Sequence, residues 1–172
     1  MNVEIKLLEG IVVNGKAINI GMPKDDIINL LGAPEVIRNS FYYFNSELRF
    51  DFSQTGQLSF IEFLGGIKGA LQPNISGHPV FLSDAELIFS LLSKHNSGRI
   101  LDNENGHSLC FCNIGIGLFR ESTPADYSEM LDEIKQLGVE IDTNSNLREE
   151  YEKAYHWATI GIGSKDYYKP RD

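Results

Sequence analysis

At 172 residues, with 42% apolar and 10% aromatic content, the chain can bury a core without disulfide or metal staples and is expected to form a single domain. Its net charge of −9 repels phosphate backbones and excludes direct nucleic-acid binding. No stretch approaches the ~18 apolar residues of a membrane span, and the opening residues lack a basic start and long apolar run. A cytoplasmic location without membrane contact is therefore expected, and the spacing of Cys110 and Cys112 disfavours a bridge between them.

Val3 to Leu8 alternates as a strand does. Glu9-Gly10 marks a turn, Ile11 to Val13 a second strand, and Lys16 to Ile20 a third beyond Asn14-Gly15. Pro23 to Leu31 reads as a helix. Pro23 suits its first turn, Asp25 and Asp26 complement the positive dipole end, Gly32 fits the left-handed stop, and Pro34 blocks continuation. Ile27, Ile28, Leu30 and Leu31 are its expected buried side. Three strands follow at Phe41 to Phe44, Glu47 to Phe52 and Gln57 to Phe63. Ser53 to Gly56 joins the last two as a hairpin, so an antiparallel meander is expected.

Residues 64–79, rich in Gly and Pro, read as a link between two halves. A helix from Asp84 to about Lys94 opens the second half, with Ser83 and Glu86 at capping-box spacing and Leu87, Ile88, Leu91 and Leu92 inward. Asn103 to Gly106 is a loop, and Ser108 to Phe119 reads as one long strand. Thr123-Pro124 caps a third helix, Ala125 to Leu137, stopped by Gly138. Tyr127, Met130, Leu131, Ile134 and Leu137 keep the helical period and are expected in the core. A fourth helix spans about Leu147 to Tyr155, and a strand near Trp157 to Gly163 precedes a polar tail.

Ile114-Gly115-Ile116-Gly117 and Ile160-Gly161-Ile162-Gly163 share a pattern. Period two puts glycines on one face, where a backbone or aromatic ring can approach closely, and the two strands are expected to be neighbours. The fold class is α+β: an antiparallel sheet with helices packed on one face. The order of elements allows a tandem helix–meander repeat, with halves near 1–66 and 78–163.

Charge is uneven along the chain. Residues 121–152 carry ten carboxylates against Lys135 and Arg148, a net of −8, so nearly all the excess lies in one segment. Such a segment either steers a basic protein partner or is a solvated face that aids solubility. Exposed clustered carboxylates do not by themselves make an acid–base pair.

Sites for chemistry are sparse. There is no G-x-S-x-G, and Cys110 and Cys112 flank Phe111 in an apolar strand, where thiols are usually inert. His107 and Cys110 would point to opposite strand faces, which opposes shared metal ligation with Cys112 and His95. The glycine pairs lack the third glycine of a dinucleotide loop, and Gly163-Ser164-Lys165 lacks Walker spacing. No cofactor, metal site or enzymatic activity is expected. Two aromatic groups, Phe41 to Phe44 and Tyr155 with Trp157, Tyr167 and Tyr168, are candidates for interface anchors or for two-sided burial.

Gly21-Met22-Pro23, Asp26-Ile27, Leu30-Leu31-Gly32-Ala33-Pro34, Tyr42-Tyr43, the Leu48, Phe50, Phe52 alternation and Gly56 to Ile61 together resemble the repeat unit of the β-lactamase-inhibitor-protein-like fold. The small outer-membrane assembly lipoproteins share a similar unit. The resemblance covers Ile20 to Ile61 by residue and the second half by pattern. It implies a helix preceding an antiparallel sheet that presents a protein-binding face. With no export signal read in the sequence, it further implies similarity to an immunity protein that occludes the active site of a cognate, basic bacterial toxin. Asp126, Glu129, Asp132, Glu133, Glu149, Glu150 and Glu152 are then the expected partner-binding carboxylates and Tyr155 an anchor. The chain would act as a monomer or weak dimer. Two other readings stay open: a ligand binder or enzyme with a pocket near His95, His107 and the cysteines, and a structural adaptor joined through a sheet edge.

Overall fold

In the computed structural model, which describes residues 2–138 and 145–169, β1 (Val3–Lys6), β2 (Gly10–Val13) and β3 (Lys16–Asn19) form an antiparallel meander. Val3, Ile5, Ile11, Val13 and Ile18 are buried, as their alternation requires. Helix α1 (Lys24–Leu31) follows Pro23. It buries Ile27 fully, while Ile28, Leu30 and Leu31 are only partly covered.

The next four strands, β4 (Glu35–Ile37), β5 (Ser40–Tyr43), β6 (Leu48–Phe52) and β7 (Leu58–Phe63), form the expected meander plus one strand more. The extra strand, β4, is three residues long and exposed at every position, so it leaves no buried–exposed alternation to read. Phe44 falls outside its expected strand. Phe44, Asn45 and Ser46 all have positive φ and make a tight turn.

The expected link at 64–79 is instead part of a sheet. A 3₁₀ turn (Gly66–Lys68) leads to β8 (Pro73–Ile75) and β9 (His78–Pro79). β8 pairs parallel to β1, and Ser76-Gly77, both at positive φ, close the two-residue hairpin to β9. Pro73 opens its strand, the place where a missing N–H is tolerated.

Helix α2 (Ala85–Asn96) is capped by Asp84, whose carboxylate accepts from the Glu86 N–H, in place of the expected Ser83–Glu86 box. Ile88 and Leu92 are buried, but Leu87 is exposed. β10 (Ile100–Asp102) was not signalled by the sequence. The expected long strand is a hairpin of β11 (Ser108–Phe111) and β12 (Ile116–Phe119). Its turn takes Cys112 and Ile114-Gly115 out of the strand. Asn113 is held there by Asn96, its N–H reaching the Asn96 side chain at 2.9 Å, and Gly115 has φ +61°. Helices α3 (Pro124–Gln136) and α4 (Ser145–Tyr155) precede the last strand, β13 (Thr159–Gly163).

The large sheet has the order β10-β11-β12-β13-β7-β6-β5-β4, with every neighbouring pair antiparallel. Helix α1 is followed by four strands, β4 to β7, whereas α2 is followed by three, β10 to β12, and then by α3, α4 and β13, which pairs β7. The chain is α+β, with two sheets where one was expected. A single apolar cluster joins residues of both sheets with Ile27 of α1 and Ile88 and Leu92 of α2. Phe89 of α2 lies 6.0 Å from Phe111 of β11, and the buried Trp157 indole donates to the Ala85 carbonyl.

β12 and β13 are neighbours as expected, in the register Ile116↔Ile162 and Gly117↔Gly161. The isoleucines are buried in the cluster. The glycines face the other way, and the supposedly polar tail returns over them: Tyr168 covers Gly117 and Gly161, and Tyr167 covers Gly163.

Cys110 and Cys112 are both free and buried, and burial, with Cys112 nearby, pushes the Cys110 thiol above its ordinary range. Neither should react in the native state. With a disulfide reagent, both thiols are expected to modify at least ~100-fold more slowly than in denaturing urea. Fast stoichiometric labelling of the folded chain would overturn that assignment.

Candidate functional site

The expected partner-binding residues all fall on the α3–α4 hairpin, inserted between β12 and β13. Its start is well specified. Thr123 caps α3 through a reciprocal box with Asp126, and Pro124 takes the first helical position. The body differs from expectation. None of Tyr127, Met130, Leu131, Ile134 or Leu137 is fully buried, and Leu137 is 78% exposed. The helical period marks the side facing α4, but one helix neighbour covers such a stripe only in part.

The hairpin is held by its base and by three rings. Tyr151 and Tyr155 stack with centroids 4.4 Å apart, and Tyr127 meets both edge-on, at 5.8 and 6.1 Å. Tyr155 is therefore half-buried in an internal aromatic cluster. At the base, Arg120 is buried. Its Nε donates to the Gly106 carbonyl at 2.9 Å and its Nη1 to the Ala154 carbonyl at 3.1 Å, and its guanidinium lies 5.0 Å from the Trp157 ring. Burial lowers its pKa, with Glu86 and Asp126 opposing.

The seven carboxylates divide by surroundings. Asp126 is committed to structure: it accepts from the Thr123 N–H at 2.7 Å and hydroxyl at 2.6 Å, and it lies 3.1 Å from His107 Nε2. Those hydrogen bonds from Thr123, with lesser help from His107 and Arg120, hold its carboxyl below the usual range. Asp132 pairs with Lys135, Glu150 with Lys153, Glu152 with Arg148, and Glu149 with Lys68 across the fold. The Lys68 hydrogen bond is the main cause of a lowered Glu149 pKa. Glu129 and Glu133 are exposed on α3 and form no ion pair among the described residues, so they are the ones best placed to project field into solvent. Glu140 and Asp142 lie outside the described residues.

His95, His107, Cys110 and Cys112 do not gather into a pocket. His95 is exposed, His107 is engaged by Asp126, and none of the four lines the cleft between α4 and the segment after β7. Among the described residues no group of three or more His, Cys, Asp or Glu is placed to hold a metal, and no helix is long and apolar enough to cross a membrane.

Sequence reasoning missed the outward face of the large sheet. Arg49 on β6 bridges Asp51 and Glu62, each at 2.9 Å, with its guanidinium 5.7 Å from the Phe60 ring. Burial pulls the Arg49 pKa down, but Glu62 and Asp51 outweigh it and leave it raised. Burial also pushes the Glu62 carboxyl up, against Arg49. Phe60 stacks on Tyr167 at 4.9 Å. The alternation of Arg49 and Asp51 between Leu48, Phe50 and Phe52 was the available signal for this face.

Fold and surface together define an α+β chain with an acidic helical hairpin standing beside an eight-stranded sheet. Compared with protein-family models, curated proteins and solved structures, the chain matches none.

Proposed function

We propose that the chain is a cytoplasmic immunity-type protein that binds a basic toxin domain and neutralises it by covering its active site. The observation that carries this reading is the α3 surface, where Glu129 and Glu133 are exposed and form no ion pair among the described residues, on a helix that buries no residue. A hairpin of this kind costs the fold little to expose and gives a basic cleft a complementary field. Two further features support the reading. A helix preceding an antiparallel sheet, as α1 precedes β4 to β7, is what the resemblance to the inhibitor fold implies. The free, buried thiols suit a reducing compartment.

Immobilised protein should capture from its host a basic protein domain that is released by high salt. The purified domain should lose its activity at one equivalent of the chain. With Glu129→Lys and Glu133→Lys combined, association should slow about tenfold or more at low salt and converge with the native rate at high salt. An unchanged rate at low salt would remove α3 from the interface. A captured domain that keeps full activity when saturated would end the inhibitor reading.

A further inference from the structure

A cleft of about 310 Å³ opens where the base of α4 faces the segment after β7. Its walls include Leu64, Ile67 and Ala158, and its polar groups come from both elements. The two ammonium groups there are already engaged: Lys68 Nζ lies 3.1 Å from Glu149, and Lys153 Nζ lies 2.7 Å from Glu150.

The other ionisable side chains of the cleft supply acceptors. Glu121 is close enough to help raise the Lys153 pKa, yet it forms no ion pair among the described residues. Glu152 is only 19% exposed and uses one oxygen, Oε1, for Arg148, leaving Oε2. His156 is fixed independently. Its Nδ1 lies 3.0 Å from both the Phe81 and the Ser83 carbonyl oxygens, and carbonyls only accept, so Nδ1 carries the proton. In the neutral ring, Nε2 is then an acceptor on a residue that lines the cleft.

From this we infer that the cleft receives the guanidinium of an arginine side chain supplied by the partner. Arginine brings a fork of five N–H donors and no acceptor, which matches separate acceptors on Glu121, Glu152 and His156. Its three-methylene stem suits the Leu64 and Ile67 walls. A carboxylate or phosphate ligand would meet these carboxylates, and both lysines already have a carboxylate partner. The inference rests on the basic-partner reading and deepens it, giving that interface an anchor pocket beside the steering surface of α3.

The test uses the whole chain and a probe in place of the partner, Nα-acetyl-arginine methylamide, with the citrulline analogue as its uncharged isostere. Amide and indole NMR shifts at Gly65, Gly66 and Trp157 should saturate with a dissociation constant on the order of 1 mM for the arginine probe, and citrulline should bind at least ~10-fold more weakly. Glu121→Gln, a conservative change at an exposed position, should weaken the arginine probe about tenfold with the rest of the spectrum unchanged. Equal binding of citrulline, or no saturable shift at those three residues, overturns the inference. If the probe fails while partner capture stays salt-dependent and sensitive to Glu129 and Glu133, the cleft assignment falls alone. If the probe binds the cleft and no basic partner is captured, the guanidinium site stands and the inhibitor reading falls.

Discussion

Arg120→Met is expected to destabilise the chain by about 3 kcal/mol, lowering its melting temperature by about 6–12 °C. The side chain is buried and pins three parts of the fold: the turn after β10 through the Gly106 carbonyl, the end of α4 through the Ala154 carbonyl, and β13's approach through the Trp157 ring. Methionine keeps much of the volume and the apolar stem, so the loss reports the guanidinium. The buried Ala154 carbonyl left without a donor costs about 1–3 kcal/mol, the part-buried Gly106 carbonyl less, and the stacked cation adds to that. Lysine should recover less than half of the loss, because an ammonium cannot serve two carbonyls in a fixed fork while stacking on an indole. Urea and thermal unfolding of the three chains measure these differences. A penalty below about 1 kcal/mol for Arg120→Met would mean that water replaces the guanidinium at both carbonyls, and that the hairpin is held by its tyrosines alone.

That base matters for function because α3 contributes no fully buried residue of its own. The sequence marked where α3 begins and ends, since Thr123-Pro124 and Gly138 are local signals. It did not reveal how little of α3 is covered. A helical stripe such as Tyr127, Met130 and Ile134 looks the same whether it faces a core or a single neighbour. Residues 64–79 misled for a related reason: Gly and Pro punctuate loops and also permit short paired strands, and only the pairing of Pro73-Asn74 with Val3-Glu4 decides which. The break at Asn113 depends on Asn96, 17 residues earlier, and no window centred on the apolar run 108–119 contains it. The cleft was out of reach for the same cause. Glu121, Glu152 and His156 share no motif and meet Leu64 and Ile67 only in the folded chain. The glycine alternation was legible because its meaning is local: period two alone predicts one bare face.

That bare face carries the second large effect. Gly161→Val should cost about 3 kcal/mol, although valine is a better strand former than glycine. A Cβ at Gly161 would lie 2.5 Å from both Phe60 Cζ and Tyr168 Oη, while the opposing Gly117 is also covered by Tyr168. Either ring must move, and Tyr167, stacked on Phe60 at 4.9 Å, moves with it. Ring clash therefore outweighs propensity, and titration identifies it as the cause. Burial, assisted by Cys110 and Tyr167, pushes the Tyr168 phenol far above its ordinary value near 10. Above about pH 10 the unfolded chain releases that proton and the native chain keeps it, so native stability falls as pH rises past 10. In the valine chain the displaced phenol should ionise with ordinary tyrosines. Absorbance at 295 nm would then gain one extra phenolate near pH 10, and the alkaline loss of stability would shrink. A valine chain with native stability and a native tyrosine titration would show that Tyr168 does not depend on the glycine face for its burial.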